Sequence, residues 1–195
     1  MKRRLSLLLV IAAILLGLAW WMRSDGGPFD NARAPQPGEP IDSLYGVVAY
    51  HNGGMNSVHG RHVVDGYNVG LRYQCVEYVK RYYLERHGHR MPNSYGHAKD
   101  FFQHGLTDGA MNADRGLLQF SNPSKERPQV GDLLVLDAWA GNSFGHVAIV
   151  SDVADGEVEV IQQNCATARE AHDLDLIDGR WRVGSKRVLG WLRMP

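Results

Sequence analysis

Cys75 and His146 are the two side chains whose type and setting best suit covalent chemistry. Cys75 lies in the run Tyr73-Gln74-Cys75-Val76-Glu77-Tyr78, in the first turn of a helix that the apolar spacing predicts over Gln74 to Arg86. The unpaired N–H groups and the dipole of a helix N-terminus favour an anion, so a thiol there gains thiolate character and nucleophilicity. Position alone also admits a second reading, a small buried hydrophobe, which is a common fate of a free cysteine. His146 opens the run His146-Val147-Ala148-Ile149-Val150 directly after Gly145. A histidine at a strand end is open to a substrate, while the strand behind it holds it rigid. Gln162 and Asn164 lie two residues apart on the following strand, and strand alternation sends both to one face, where either can orient an imidazole.

These runs, in this order, resemble the CHAP domain, the cysteine, histidine-dependent amidohydrolase/peptidase family. The resemblance rests on Tyr73 to Tyr78, on Gly145 to Val150, on Gln162-Gln163-Asn164 and on Pro128-Gln129-Val130-Gly131-Asp132-Leu133 leading into a strand. Within that family the chain is similar to the amidase domain of bifunctional glutathionylspermidine synthetase/amidase, including Gly70 to Gly88 and the terminal Val188-Leu189-Gly190-Trp191-Leu192. The likeness covers most of residues 44 to 192, and no ligase domain accompanies it. It implies an α+β, papain-like CHAP/NlpC-type fold with N-terminal helices packed on an antiparallel sheet.

The resemblance also implies roles. Cys75 would attack an amide carbonyl and form a thioester, His146 would move the proton, and Gln162 would orient His146 with Asn164 as support or substitute. The Cys75 backbone N–H and the Gln74 side chain would hold the oxyanion. No cofactor or metal is called for. One position departs from the family: Gln162 stands where a glutamate is usual. A neutral amide can still accept the imidazole N–H, as asparagine does in papain-like proteases, but it brings no charge to stabilise the imidazolium.

The elements that must position these groups follow from periodicity. Val76, Val79 and Tyr83 mark one helix face, Gly88 stops the helix, and a second short helix is predicted over His97 to His104. Beyond Pro128 the chain reads as strands over Asp132–Asp137, His146–Asp152, Glu157–Gln163, Arg180–Val183 and Arg187–Leu192, with turns at Asp155-Gly156 and Asp178-Gly179. Glu77, two residues from Cys75, projects from a different helix face and reads as a structural ion-pair partner. The remaining histidines match no zincin spacing. Cys165 alternates away from Gln162 and Asn164 and reads as a free thiol outside the site.

Residues Leu5 to Met22 form 18 uncharged residues, a helix of ~27 Å against a hydrocarbon core of ~30 Å. Lys2, Arg3 and Arg4 precede them, and Trp20 and Trp21 sit at the far interface, which predicts a single-pass anchor with the rest of the chain exported. Gly17-Leu18-Ala19 offers the competing reading of a cleaved signal sequence. Residues 24 to 40 hold seven Gly or Pro in 17 positions and read as a linker, so the domain is expected over 41 to 195. The chain balances 21 basic against 21 acidic residues, which argues against nucleic-acid binding. Two cysteines exclude a disulfide framework. The expectation is a monomeric hydrolase in the periplasm, held at the inner membrane through residues 5 to 22, or periplasmic or secreted if cleaved. It would act on peptidoglycan or on a small γ-glutamyl or glycyl amide. The departure at Gln162 leaves a non-catalytic wall-binding module as the alternative from another class.

Overall fold

The computed structural model describes residues 33–195. The segment 5–22 lies outside the described residues; among those described, no helix is long and apolar enough to cross a membrane. Contacts divide the chain after Ala34, and Pro35–Pro195 forms one unit.

Two hairpins come first: β1 (Pro40–Leu44) with β2 (Val47–Tyr50), then β3 (Arg61–Val64) with β4 (Tyr67–Leu71). Both turn through two residues of positive φ, Tyr45-Gly46 and Asp65-Gly66, the backbone that suits the twist of a tight hairpin. The helix α1 (Cys75–His87) follows. It ends where Gly88 adopts the left-handed conformation and its N–H bonds back to Leu84 O. Strands β5 (Ala110–Asn112), β6 (Leu117–Ser121), β7 (Leu133–Leu136), β8 (His146–Ala154), β9 (Glu157–Ile161), β10 (Arg169–Ile177), β11 (Arg180–Val183) and β12 (Val188–Arg193) complete the chain. They form one antiparallel sheet in the order β11-β10-β9-β8-β7-β12-β6-β5. The architecture is α+β, with one α-helix among the described residues packed on an antiparallel sheet. Strands precede that helix as well as follow it, which the sequence reading did not anticipate.

The second predicted helix is reduced to a 3-10 turn, Ala98–Phe101. Asp100 accepts from the His97 N–H at 2.8 Å and closes the turn, and the chain becomes extended at Phe102. Phe101, the last residue of the turn, is fully buried in the core.

The centre of the sheet is buried on both faces. Leu133, Val135, Val147 and Ile149 face the helix and pack with Tyr78, Val79, Tyr82 and Tyr83. Their neighbours Leu134, Leu136, Ala148 and Val150 pack with Trp191, Leu174 and Val183 on the far side. Such strands read as continuous apolar runs, which is why β7 and β8 stand out in the sequence. The sheet curls far enough for Ser124, just past β6, to bridge Trp181 of β11. Asn122 ties the same seam, its side chain bonding both the N–H and the carbonyl of Val183 at 3.0 Å.

Candidate active site

The first turn of α1 is fixed from inside the protein. Glu77 accepts from Arg81 Nε at 2.7 Å, from Gln163 Nε2 at 3.0 Å and meets His62 Nδ1 at 2.8 Å. Arg81 also donates to Val48 O, and Gln163 bridges the Tyr50 N–H and Gln74 O. Glu77 and Arg81 are thus a buried, fully engaged ion pair that locks the helix start to β2 and to the end of β9. Gly70 allows the closest approach: a Cβ there would lie 2.9 Å from Glu77 Cα.

Cys75 and His146 line one cleft of about 1010 Å³, together with Gln74, Gln162, Asn164 and Cys165. Cys75 is partly buried at the helix start. Burial pushes its thiol pKa up, while the backbone N–H groups of Val147, Val76 and Cys75 itself favour the thiolate without overcoming that effect. His146 is buried. Burial brings its pKa down to about 4, against the hydrogen bond to Gln162 and the charge of Glu170, which act upward. Arg187 and His172 add to the downward shift. Gly145 seats it: a Cβ there would stand 2.6 Å from Leu136 O and 2.9 Å from Lys99 Cβ, so the chain enters β8 between two neighbours.

His146 Nε2 lies 3.0 Å from Gln162 Oε1. Gln162 Nε2 in turn donates to Thr167 O at 3.2 Å and Glu170 Oε2 at 3.1 Å. A carbonyl and a carboxylate can only accept, so the amide must turn its oxygen to the histidine. Nε2 therefore carries the proton and Nδ1 the lone pair.

Asn164 is hydrogen-bonded to groups other than His146. Its Nδ2 donates to Gln74 Oε1 at 2.6 Å and to Met55 O at 2.9 Å, and its Oδ1 accepts from Asn52 at 2.9 Å. Gln74 Nε2 donates to Ser57 O at 2.8 Å, and among the described residues its second hydrogen has no partner. Strand alternation misplaces Asn164 because β9 ends at Ile161 and Asn164 takes a left-handed φ of 61°. The same break corrects the reading of Cys165, which lies in the site with its sulfur 3.4 Å from His146 Nε2. Both cysteines are free. Glu170 and Gln163 were also missed. A pair of amides next to Asn164 was the available signal for Gln163, whereas nothing local marks Glu170. No group of three or more His, Cys, Asp or Glu among the described residues could hold a metal.

Known proteins share parts of this sequence. The chain is 27% identical to trypanothione synthetase of Crithidia fasciculata over 182 residues, 86% of this chain and 27% of that one. It is 31% identical to glutathionylspermidine synthase of the same organism over 99 residues, 49% of this chain and 14% of that one. The chain thus spans about a quarter of the length of the first relative. The crystal structure of Ly7917 is similar at 18% identity and a TM-score of 0.30, over 48% of this chain and 40% of that one. A model of the CHAP domain matches residues 65–164, from the β3–β4 turn through α1 and β8 to Asn164. The chain belongs to the CHAP domain family, whose members are amidohydrolases and peptidases.

Proposed function

We propose that this protein is an exported cysteine amidohydrolase that cleaves amide bonds in peptidoglycan peptides through a Cys-His thioester mechanism. The observation that carries the chemistry is the tie between His146 Nε2 and Gln162 Oε1, which leaves Nδ1 as a base in the cleft that Cys75 lines. With a thiol pushed up by burial and an imidazole pushed down, the resting pair is neutral. His146 then removes the Cys75 proton as the sulfur attacks the carbonyl, acting as general base in the attacking step. The Cys75 N–H and the uncommitted Gln74 N–H receive the oxyanion. His146 returns the proton to the leaving amine, and the thioester is hydrolysed by a water that His146 deprotonates in turn. Gln162 orients His146. Asn164 belongs to the machinery through Gln74.

Export rests on the apolar run of residues 5–22 behind three basic residues; the anchored protein would present its catalytic domain to the periplasm. Zymography on purified cell wall, with mass spectrometry of the released fragments, tests the substrate. New amino termini or freed lactyl groups are expected, and an unaltered wall would refute it. A second reading, hydrolysis of a small γ-glutamyl or glycyl amide, is favoured by the relatives named above, and a glutathionylspermidine assay in parallel decides between them. A reporter fused after Pro195 that is active only in the cytoplasm would overturn the topology.

A further inference from the structure

We propose that Glu170 is a positioning residue for the catalytic base: it holds Gln162 in the amide orientation that keeps the Nδ1 lone pair of His146 facing the cleft. The inference rests on the reading of His146 as that base, and it concerns a residue on β10 with no direct contact to His146.

A glutamine amide is nearly symmetric in shape and can flip at little steric cost, and the two orientations impose opposite tautomers on a histidine partner. With the oxygen inward, Nε2 must donate. With the NH2 group inward, Nε2 must accept, the proton moves to Nδ1, and the base is lost. Something must decide, and Glu170 Oε2 at 3.1 Å and Thr167 O at 3.2 Å are the acceptors that do. The backbone carbonyl of Thr167 is the weaker of the two, since a hydrogen bond to a charged acceptor is roughly twice as strong as one to a neutral acceptor.

The arrangement also places a charge. The position next to the imidazole is almost fully buried, Gln162 being 2% exposed, whereas the Glu170 side chain is 51% exposed. A carboxylate at 162 would lose its hydration; at 170 it keeps much of it, and the neutral amide carries the hydrogen bond inward. The groups facing His146 from the neighbouring elements are Cys75 on α1, Cys165 past β9, Glu170 and His172 on β10, and Arg187 before β12. Of these, Glu170 is the one carboxylate. His172 Nδ1 stands 4.0 Å from Glu170 Oε1, so it meets the oxygen that Gln162 does not use.

The test uses the full chain labelled with 15N-histidine. It reads the His146 tautomer and titration by long-range 15N–1H NMR, beside release of soluble fragments from purified sacculi. Glu170→Gln keeps an acceptor and removes the charge: the Nε2–H tautomer should persist, with proton affinity reduced roughly three- to tenfold. Glu170→Lys replaces the acceptor with a donor: Nδ1–H should become populated, and hydrolysis should fall by roughly a hundredfold or more, since a wrong tautomer is among the costliest defects in such a dyad. A Glu170→Lys protein with the wild-type tautomer and titration overturns the proposal. So does a Glu170→Gln protein with an unshifted titration. Hydrolysis by Cys75→Ala would instead refute the catalytic reading, and it leaves the NMR result to judge Glu170 separately.

Discussion

Asn164 Nδ2 donates to Gln74 Oε1 across 2.6 Å, and this bond fixes which end of the Gln74 amide is left for a ligand. Gln74→Ala should lower kcat by about 10²–10³-fold, the usual effect of losing one oxyanion donor. Asn164→Ala should lower it less, by freeing the same amide to rotate. The double variant should resemble Gln74→Ala, because both changes act on one donor. Additive losses in kcat would show that Asn164 works elsewhere.

The acid limb of kcat/KM should lie well below the ordinary histidine range, because burial holds His146 down to about 4 and only the neutral ring accepts a proton. Gln162→Glu places a carboxylate on the imidazole, favours the protonated ring and should move that limb to higher pH. Gln162→Ala removes the acceptor and should slow catalysis without raising the limb. Rate–pH profiles of the three proteins check the sign.

Cys75→Ser should abolish hydrolysis with the fold retained, whereas Cys165→Ser should keep activity within a few-fold. Because the Cys165 sulfur lies 3.4 Å from His146 Nε2, alkylation at either cysteine should block the cleft. Iodoacetamide labelling is therefore read in the Cys165→Ser background. Equal loss of activity from the two serine variants would contradict the assignment.

Glu77→Ala should destabilise the protein by ~3–5 kcal/mol, since it strands the buried Arg81 without its partner. Glu77→Gln should cost less, as it keeps acceptors and donors in the network. Denaturant unfolding measures both. Because Gln163 spans Glu77 and Gln74, Glu77→Ala should also lower kcat at temperatures where the fold persists.

Where the pattern was dense, sequence was a good guide. α1 and strands β7, β8, β9, β11 and β12 follow from apolar runs and turn residues. Strand β10 escaped because Leu174 is its one fully buried hydrophobe, and the remainder of Arg169–Ile177 is polar or exposed. Strands β3 and β4 are short and interrupted by a bulge at His62/Val63. That Cys75, His146 and Gln162 share one cleft was legible because each sits on or beside a regular element. Cys165 was not, because alternation is a property of extended backbone and Asn164 leaves it. Glu170 is reached only through the pairing of β10 with β9, which brings Arg169 opposite Ile161.

The clamp on Gly145 separates two jobs along neighbouring stretches of chain. Between Leu136 and Gly145 runs the segment carrying Trp139 and Phe144, both half exposed at the rim of the cleft. Because Gly145 is wedged against Leu136 O and Lys99, that segment can change in length or side chains while His146 keeps its place. What the cleft accepts can thus diverge by loop replacement, with the seat of His146 left unchanged.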